Sequence, residues 1–206
     1  MNTNSQQTLV QPAKPDNFAP SASTFFIILA GCLFAVGLMI FLFTPVFEKM
    51  EIHKRNLTRR AVSKSNLKQM GLALWRFQEE NQRFPPGATF TAEGTPLHSW
   101  QTRILPFVDQ GQLYQQIDLE KPWNDPANQQ HFQQTVRSYV VPWSEEIISS
   151  EGYALSHYVG NELLLKQNQG MKLSQITDGA SNTIMAVDRG NDFKAWGDPA
   201  NLARPA

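Results

Sequence analysis

The side chains best suited to chemistry are scattered along this chain. His98, His131 and His157 stand about thirty residues apart and share no ligand spacing. A helical zinc pair needs two histidines four apart with an acid nearby. No Gly-x-Ser-x-Gly elbow offers a serine nucleophile, and no glycine-rich loop follows a strand to cradle phosphate. Glu145-Glu146 is an adjacent carboxylate pair, which more often marks a solvated loop than an acid/base couple. Two stretches carry oxygen ligands suited to Ca²⁺: Asn124-Asp125 and Asp178-Gly179-Ala180-Ser181-Asn182. Asp125, Asp178 and Asn182 are the candidate ligands, although one such loop falls short of an EF-hand's ligand number. Asp178-Gly179 also reads as a plain turn, with Ser181 and Asn182 opening the next element. Trp100, Trp123 and Trp196, with Trp143, Tyr114 and Phe107, could line a ligand groove; packing a small core is the competing use of such rings. These residues imply no cofactor and no catalysis.

The single cysteine, Cys32, removes intrachain disulfides and thiolate metal sites from consideration. Leu29-Ala30-Gly31-Cys32 matches a bacterial lipobox, so lipidation of Cys32 is a minority reading. Only six apolar residues precede it as a hydrophobic region, Phe25 to Ala30, and the chain stays apolar through Phe43. A lipoprotein ordinarily turns polar there.

The elements that must position these residues begin with an anchor. Phe25 to Phe47 is a run of 23 residues without a charged side chain. As a helix it spans roughly 34 Å, enough for a hydrocarbon core of about 30 Å. It is too long and too uniform for the core helix of a small soluble domain, and longer than the apolar region of a cleaved signal. Residues 1–24 are rich in Gln, Asn, Ser and Pro and read as a disordered tail.

Lys+Arg and Asp+Glu are both 18, so the net charge is zero, and no basic stripe points to nucleic acid. Between Glu48 and Lys68, however, seven basic residues stand against two acids. This cluster suits a solvated helix beside anionic headgroups. By the positive-inside rule it would place the C-terminal side in the cytoplasm.

Residues 48–82 read as a helical stalk. Leu67, Met70, Leu74 and Phe77 recur at steps of three and four, which is one helical face. Arg83-Phe84-Pro85-Pro86-Gly87 ends it, because proline cannot continue a helix. Residues 83–206 form the head, with frequent turn signals and short apolar runs. Ile104–Val108, Ser138–Val141, Tyr153–Val159, Leu163–Leu165 and Thr183–Val187 suggest strands. Ser99–Leu105 and Gln110–Ile117 suggest short helices. The expected class is α+β: one long helix against a small, mostly antiparallel sheet.

Several of these stretches carry a resemblance. Ser65-Asn66-Leu67-Lys68-Gln69-Met70-Gly71-Leu72-Ala73-Leu74, followed by Arg83-Phe84-Pro85-Pro86-Gly87, resembles the start of a large planctomycete family of unknown function. Its members look like type II secretion pseudopilins or prepilins, and its domain is sometimes labelled bacterial substrate-binding. The likeness extends from about Phe43 to Leu202. It includes Pro122-Trp123-Asn124-Asp125-Pro126, Ser156 to Asn161 and the more specific Asp178-Gly179-Ala180-Ser181-Asn182-Thr183-Ile184. The resemblance implies a pilin-like architecture: a long N-terminal helix half in the cytoplasmic membrane, and a small head outside the cytoplasm. Against the charge rule, it favours an extracytoplasmic head.

The chain departs from that pattern in two ways. Ser23 to Leu29 has neither the cleavage glycine nor the acid of a prepilin start. Many relatives carry a cysteine pair whose nearest counterparts here are Ser63 and Val141-Pro142. The expected function is a non-catalytic, single-pass, pseudopilin-like envelope protein. Its partners are the membrane and, through the stalk, its own copies or other envelope proteins. The alternative is an anchored extracytoplasmic module that binds a ligand or glycan.

Overall fold

The computed structural model describes residues 22–141, 143–177 and 179–204. The chain divides into two units, Met1–His53 and Lys54–Ala206. Its first element, α1, is the helix Ala22–Asn81. Residues 1–21 of the expected tail lie outside the described residues, and residues 22–24 open α1.

In the first unit every described residue is helical and exposed. The apolar stretch of α1 is long enough to cross a membrane, and none of its most apolar part is buried. Pro45 lies inside the helix. It has no N–H to give the Phe41 carbonyl four residues back. The Thr44 hydroxyl donates to that carbonyl instead, at 3.1 Å. In hydrocarbon an unpaired carbonyl costs several kcal/mol, so this substitution of donors matters most if the segment is in lipid.

In the second unit the last turns of α1 bury one face. Met70, Ala73 and Leu74 are fully buried, with Ser63 and Gln78 at its edges and Leu67 and Trp75 partly covered. The expected stripe of Leu67, Met70, Leu74 and Phe77 is this face, widened by Ala73 and Gln78. Phe77 is half-buried and meets Phe107 edge-on at 6.0 Å. The helix stops where Gln82 takes a left-handed φ of 59°. The Asn81 and Gln82 side-chain amides then donate to the carbonyls of Phe77 and Glu79 in the last turn.

The rest of this unit is short elements around that face. A hairpin pairs β1 (Ala88–Phe90) with β2 (Pro96–Ser99). α2 (Trp100–Arg103), a 3₁₀ turn (Leu105–Val108), α3 (Gly111–Gln116), α4 (Gln129–Phe132) and a second 3₁₀ turn (Arg137–Tyr139) follow. β3 (Leu155–Ser156) pairs antiparallel with β6 (Lys194–Ala195). A three-stranded sheet has the order β5 (Ala186–Asp188), β4 (Tyr158–Asn161), β7 (Leu202–Ala203). β4 is antiparallel to β5 and parallel to β7. The class is α+β, with one long helix and small, mainly antiparallel sheets.

Three expected strands are not strands. Ile104–Val108 closes as a 3₁₀ turn with Pro106 near its start, where the missing N–H is harmless. Ser138–Val141 begins in the second 3₁₀ turn, and Leu163–Leu165 lies in a turn whose Leu164 and Leu165 amides bond back to the Asn161 carbonyl. Of Thr183–Val187 only the end, from Ala186, pairs as a strand. A short buried apolar run looks the same in sequence whether it is strand or turn. The expected helices at 99–105 and 110–117 are α2 and α3.

Aromatic rings fill the core. Phe132 meets Trp196 at 4.3 Å, and Trp123 meets Tyr153 at 4.7 Å. Gly197 lets the backbone pass against Phe132, since a Cβ there would lie 2.2 Å from the ring. Because α1 carries the apolar wall of this core, truncating it should be costly at one position and neutral two residues earlier. Leu74→Ala is expected to lose about 2–5 kcal/mol. Leu72→Ala, half-exposed at 51 %, should stay within about 0.5 kcal/mol of the parent. Urea unfolding of the protein in detergent, followed by tryptophan fluorescence, measures both.

Candidate functional site

Trp100 and Trp196 are both fully buried, so neither presents a ring face to a ligand. Their indole N–H groups are spent inside the fold, on the carbonyls of Asn201 at 3.0 Å and Gln134 at 2.9 Å. Trp123 is half-buried, edge-on to both Phe132 and Tyr153. Asp125 serves its own turn: its carboxylate accepts the Ala127 N–H at 2.9 Å, and its carbonyl accepts Asn128 and Gln129 at the start of α4. Asp178 lies outside the described residues. Asn182 is exposed, in a 3₁₀ turn spanning Ala180–Asn182. Among the described residues no three His, Cys, Asp or Glu side chains gather to hold a metal. Cys32 is exposed within the apolar part of α1.

The histidines are all in different surroundings. His98 is fully buried, stacked on Phe132 at 5.7 Å, and neither ring nitrogen makes a well-formed hydrogen bond. Burial, helped by the positive charge of Arg103, lowers its pKa from 6.5 to about 4. His98 is therefore neutral near pH 7. His131 is buried in α4, while His157 sits between β3 and β4 with both nitrogens engaged.

The densest polar constellation lies where α1 meets the sheet. The Tyr158 hydroxyl donates to Ser63 Oγ at 3.3 Å, and Ser63 Oγ donates to Asp188 Oδ2 at 3.3 Å. Asn66 Nδ2 donates to the Tyr158 hydroxyl at 3.1 Å and to the Val140 carbonyl at 3.0 Å. One turn further, Ser138 Oγ donates to Gln69 Oε1 at 2.9 Å. Ser63, Asn66 and Gln69 thus form a polar row beside the apolar stripe of the same helix. Burial pushes the Tyr158 phenol above its ordinary pKa, so it stays protonated and donating. The sequence holds the signal for this row, Ser, Asn and Gln at steps of three. It does not say what they would meet.

A half-open cleft of about 350 Å³ lies under the Gly179–Ile184 stretch. Leu163, Leu164, Met171, Ile176 and Ile184 make its apolar floor, and Asn161 secures one wall by donating to the Ile184 carbonyl at 2.7 Å. Among the described residues it is lined by no charged side chain.

Residues 53–163 match a family described as a protein of unknown function, DUF1559. The chain belongs to that family. The DUF1559 match covers the α1 contact face, the hairpin, α2 to α4, and β3 and β4. It takes in Ser63, Asn66, Gln69, Ser138 and Tyr158, but not Asp188. The cleft under Gly179–Ile184 is walled largely by residues beyond the match. No curated protein and no solved structure matches the chain.

Two measurements check this description. In the DUF1559 fold His98 takes up a proton only on unfolding once the pH is between 6.5 and about 4. Its contribution is complete above 6.5 and is lost as the pH falls through that window, by about 3 kcal/mol. His98→Phe should flatten that part of the stability–pH curve relative to the parent. Separately, Asn66→Leu leaves the Val140 carbonyl and the Tyr158 hydroxyl short of a donor, and should destabilise by about 1–3 kcal/mol. Lys64→Leu, on the exposed side of the same helix, should not; thermal unfolding distinguishes them.

Proposed function

We propose that this chain is a non-catalytic, single-pass membrane protein of the cell envelope, with pilin-like architecture and an extracytoplasmic head. One observation carries the reading. A single helical element, Ala22–Asn81, contains both a membrane-length apolar stretch with no buried residue and the turns that form one wall of a folded core. A mere tether would need no such continuity, and a soluble core helix would not leave its most apolar part uncovered. The resemblance of Ser65 to Leu74 and of Arg83 to Gly87 to pseudopilins supports the same reading.

The start of the helix qualifies it. Ser23 to Leu29 carries neither a cleavage glycine nor an acid within the apolar run. In a low-dielectric bilayer, a buried acid opposite a neighbour's amino terminus is what would register one helix against the next. Without it, the helix is better suited to staying in the membrane than to entering a filament. Contacts with its own copies or other envelope proteins then fall to the exposed side of residues 48–82.

A C-terminal fusion to a reporter active only outside the cytoplasm tests the orientation. Activity there is expected, and activity of a cytoplasm-only reporter instead would overturn it. For the assembly role, single cysteines at Leu57 and Lys64 in a Cys32→Ser background should be trapped in cells by a short crosslinker. Absence of any self or envelope adduct at both positions sinks that part.

A further inference from the structure

A second cleft, of about 560 Å³, opens between Trp143–Glu146 and Asp188–Phe193. One imidazole holds both of its walls. The Val141 N–H donates to His157 Nδ1 at 3.1 Å, so Nδ1 carries no proton. Nε2 therefore holds the proton and donates to the Glu146 carbonyl at 3.0 Å. Val141 and Glu146 bracket Trp143, so this pair of bonds fixes the segment that presents the indole. On the other wall, the His157 carbonyl accepts the Arg189 N–H at 2.7 Å, and its ring packs edge-on against Phe193 at 4.2 Å.

Its lining has a definite character. Trp143 and Phe193, both half-buried, supply aromatic surface. Glu145, Glu146 and Asp188 supply three carboxylates, against the single guanidinium of Arg189. That guanidinium is turned to the Asp192 carbonyl at 2.9 Å. Among the described residues the ion pairs are Lys121–Asp118 and Lys194–Asp192, so Glu145 and Glu146 keep their charge unpaired. The Trp143 ring already carries a cation from the same chain, the Arg59 guanidinium 5.8 Å from its centroid, and Arg59 is not part of the cleft lining. Aromatic faces with carboxylates around them are the chemistry that recognises organic cations. An anion would meet three like charges, and a neutral sugar would hydrogen-bond to the carboxylates but leave their charge uncompensated.

We infer that this cleft binds a small organic cation, a guanidinium or alkylammonium compound, with Trp143 and Phe193 against its apolar surface and Glu145, Glu146 and Asp188 opposing its charge. The site is independent of the membrane role, because it lies wholly within Lys54–Ala206 and none of its residues belongs to the apolar helix.

Calorimetric titration of the full-length protein in detergent micelles tests it, with agmatine and choline as probes. The neutral isostere of choline, 3,3-dimethyl-1-butanol, and maltose are the controls. Saturable binding of at least one cation is expected, with neither control binding. The double substitution Glu145→Gln, Glu146→Gln should weaken it by about tenfold or more. Trp143→Leu should abolish it, and Trp143→Phe should keep it within a few fold. Thermal unfolding identifies any variant that fails to fold, and the carboxamide pair, on exposed side chains, carries the decision if Trp143→Leu does. Failure of both cations to bind up to about 10 mM, equal binding of the neutral alcohol, or unchanged affinity in the carboxamide variant each overturns the proposal.

Discussion

The burial of one face of α1, from Ser63 to Gln78, is the contact on which the Lys54–Ala206 unit depends. Among the described residues its strands are at most four residues long, and its sheets have two or three strands. Sheets that small are not stable on their own and need a rigid apolar surface to pack on. Met70, Ala73 and Leu74 provide it. Burying a residue such as Met70 or Leu74 contributes about 1.5–3 kcal/mol, against a net domain stability of about 5–15 kcal/mol. A few such side chains therefore decide whether the head folds.

Apolar contact alone would let the helix slide along the head. The polar row beside it removes that freedom. Ser63, Asn66 and Gln69 each reach a specific partner on the β4–β5 side or the Arg137–Tyr139 turn. A shift by one turn would leave Ser63 buried, and Asn66 and Gln69 partly buried, without these partners, at the cost of desolvation. The same device recurs inside the head, where regular ladders are scarce. Asn128, fully buried, donates to the carbonyls of Asp118, Lys121 and Pro122 and accepts the Asp118 N–H. Ser99 caps α2 and donates to the Trp196 carbonyl. Side-chain amides and hydroxyls thus satisfy the backbone groups that short strands cannot.

His98 is the exception that shows the rule. Its two nitrogens make no well-formed hydrogen bond although it is fully buried, facing the Asp118 and Lys121 carbonyls. It is tolerated because a neutral imidazole stacked on Phe132 costs far less than a buried charge. His157 illustrates the opposite solution: both nitrogens are bonded, and the ring serves as a peg for two loops.

Parts of this organisation follow from the sequence alone, because they depend only on neighbouring residues. The charge-free run from Phe25 to Phe47 gives a membrane-length helix. The spacing of Leu67, Met70 and Leu74 gives its packed face, and Pro85-Pro86 gives its end. The short helices α2 and α3 are legible in the same way. What local pattern cannot carry is partnership across the chain. Ser63 meets Asp188 across 125 positions, and Trp143 faces a cleft completed by Phe193, from a separate loop. Nothing in the residues around Trp100, Trp123, Trp143 and Trp196 tells which rings will be enclosed and which left half-open. Tertiary packing decided that, because burial depends on what the rest of the chain lays over a side chain. For the same reason Ile104–Val108 became a turn: its apolar residues needed only to be covered, and the core could cover them without a strand.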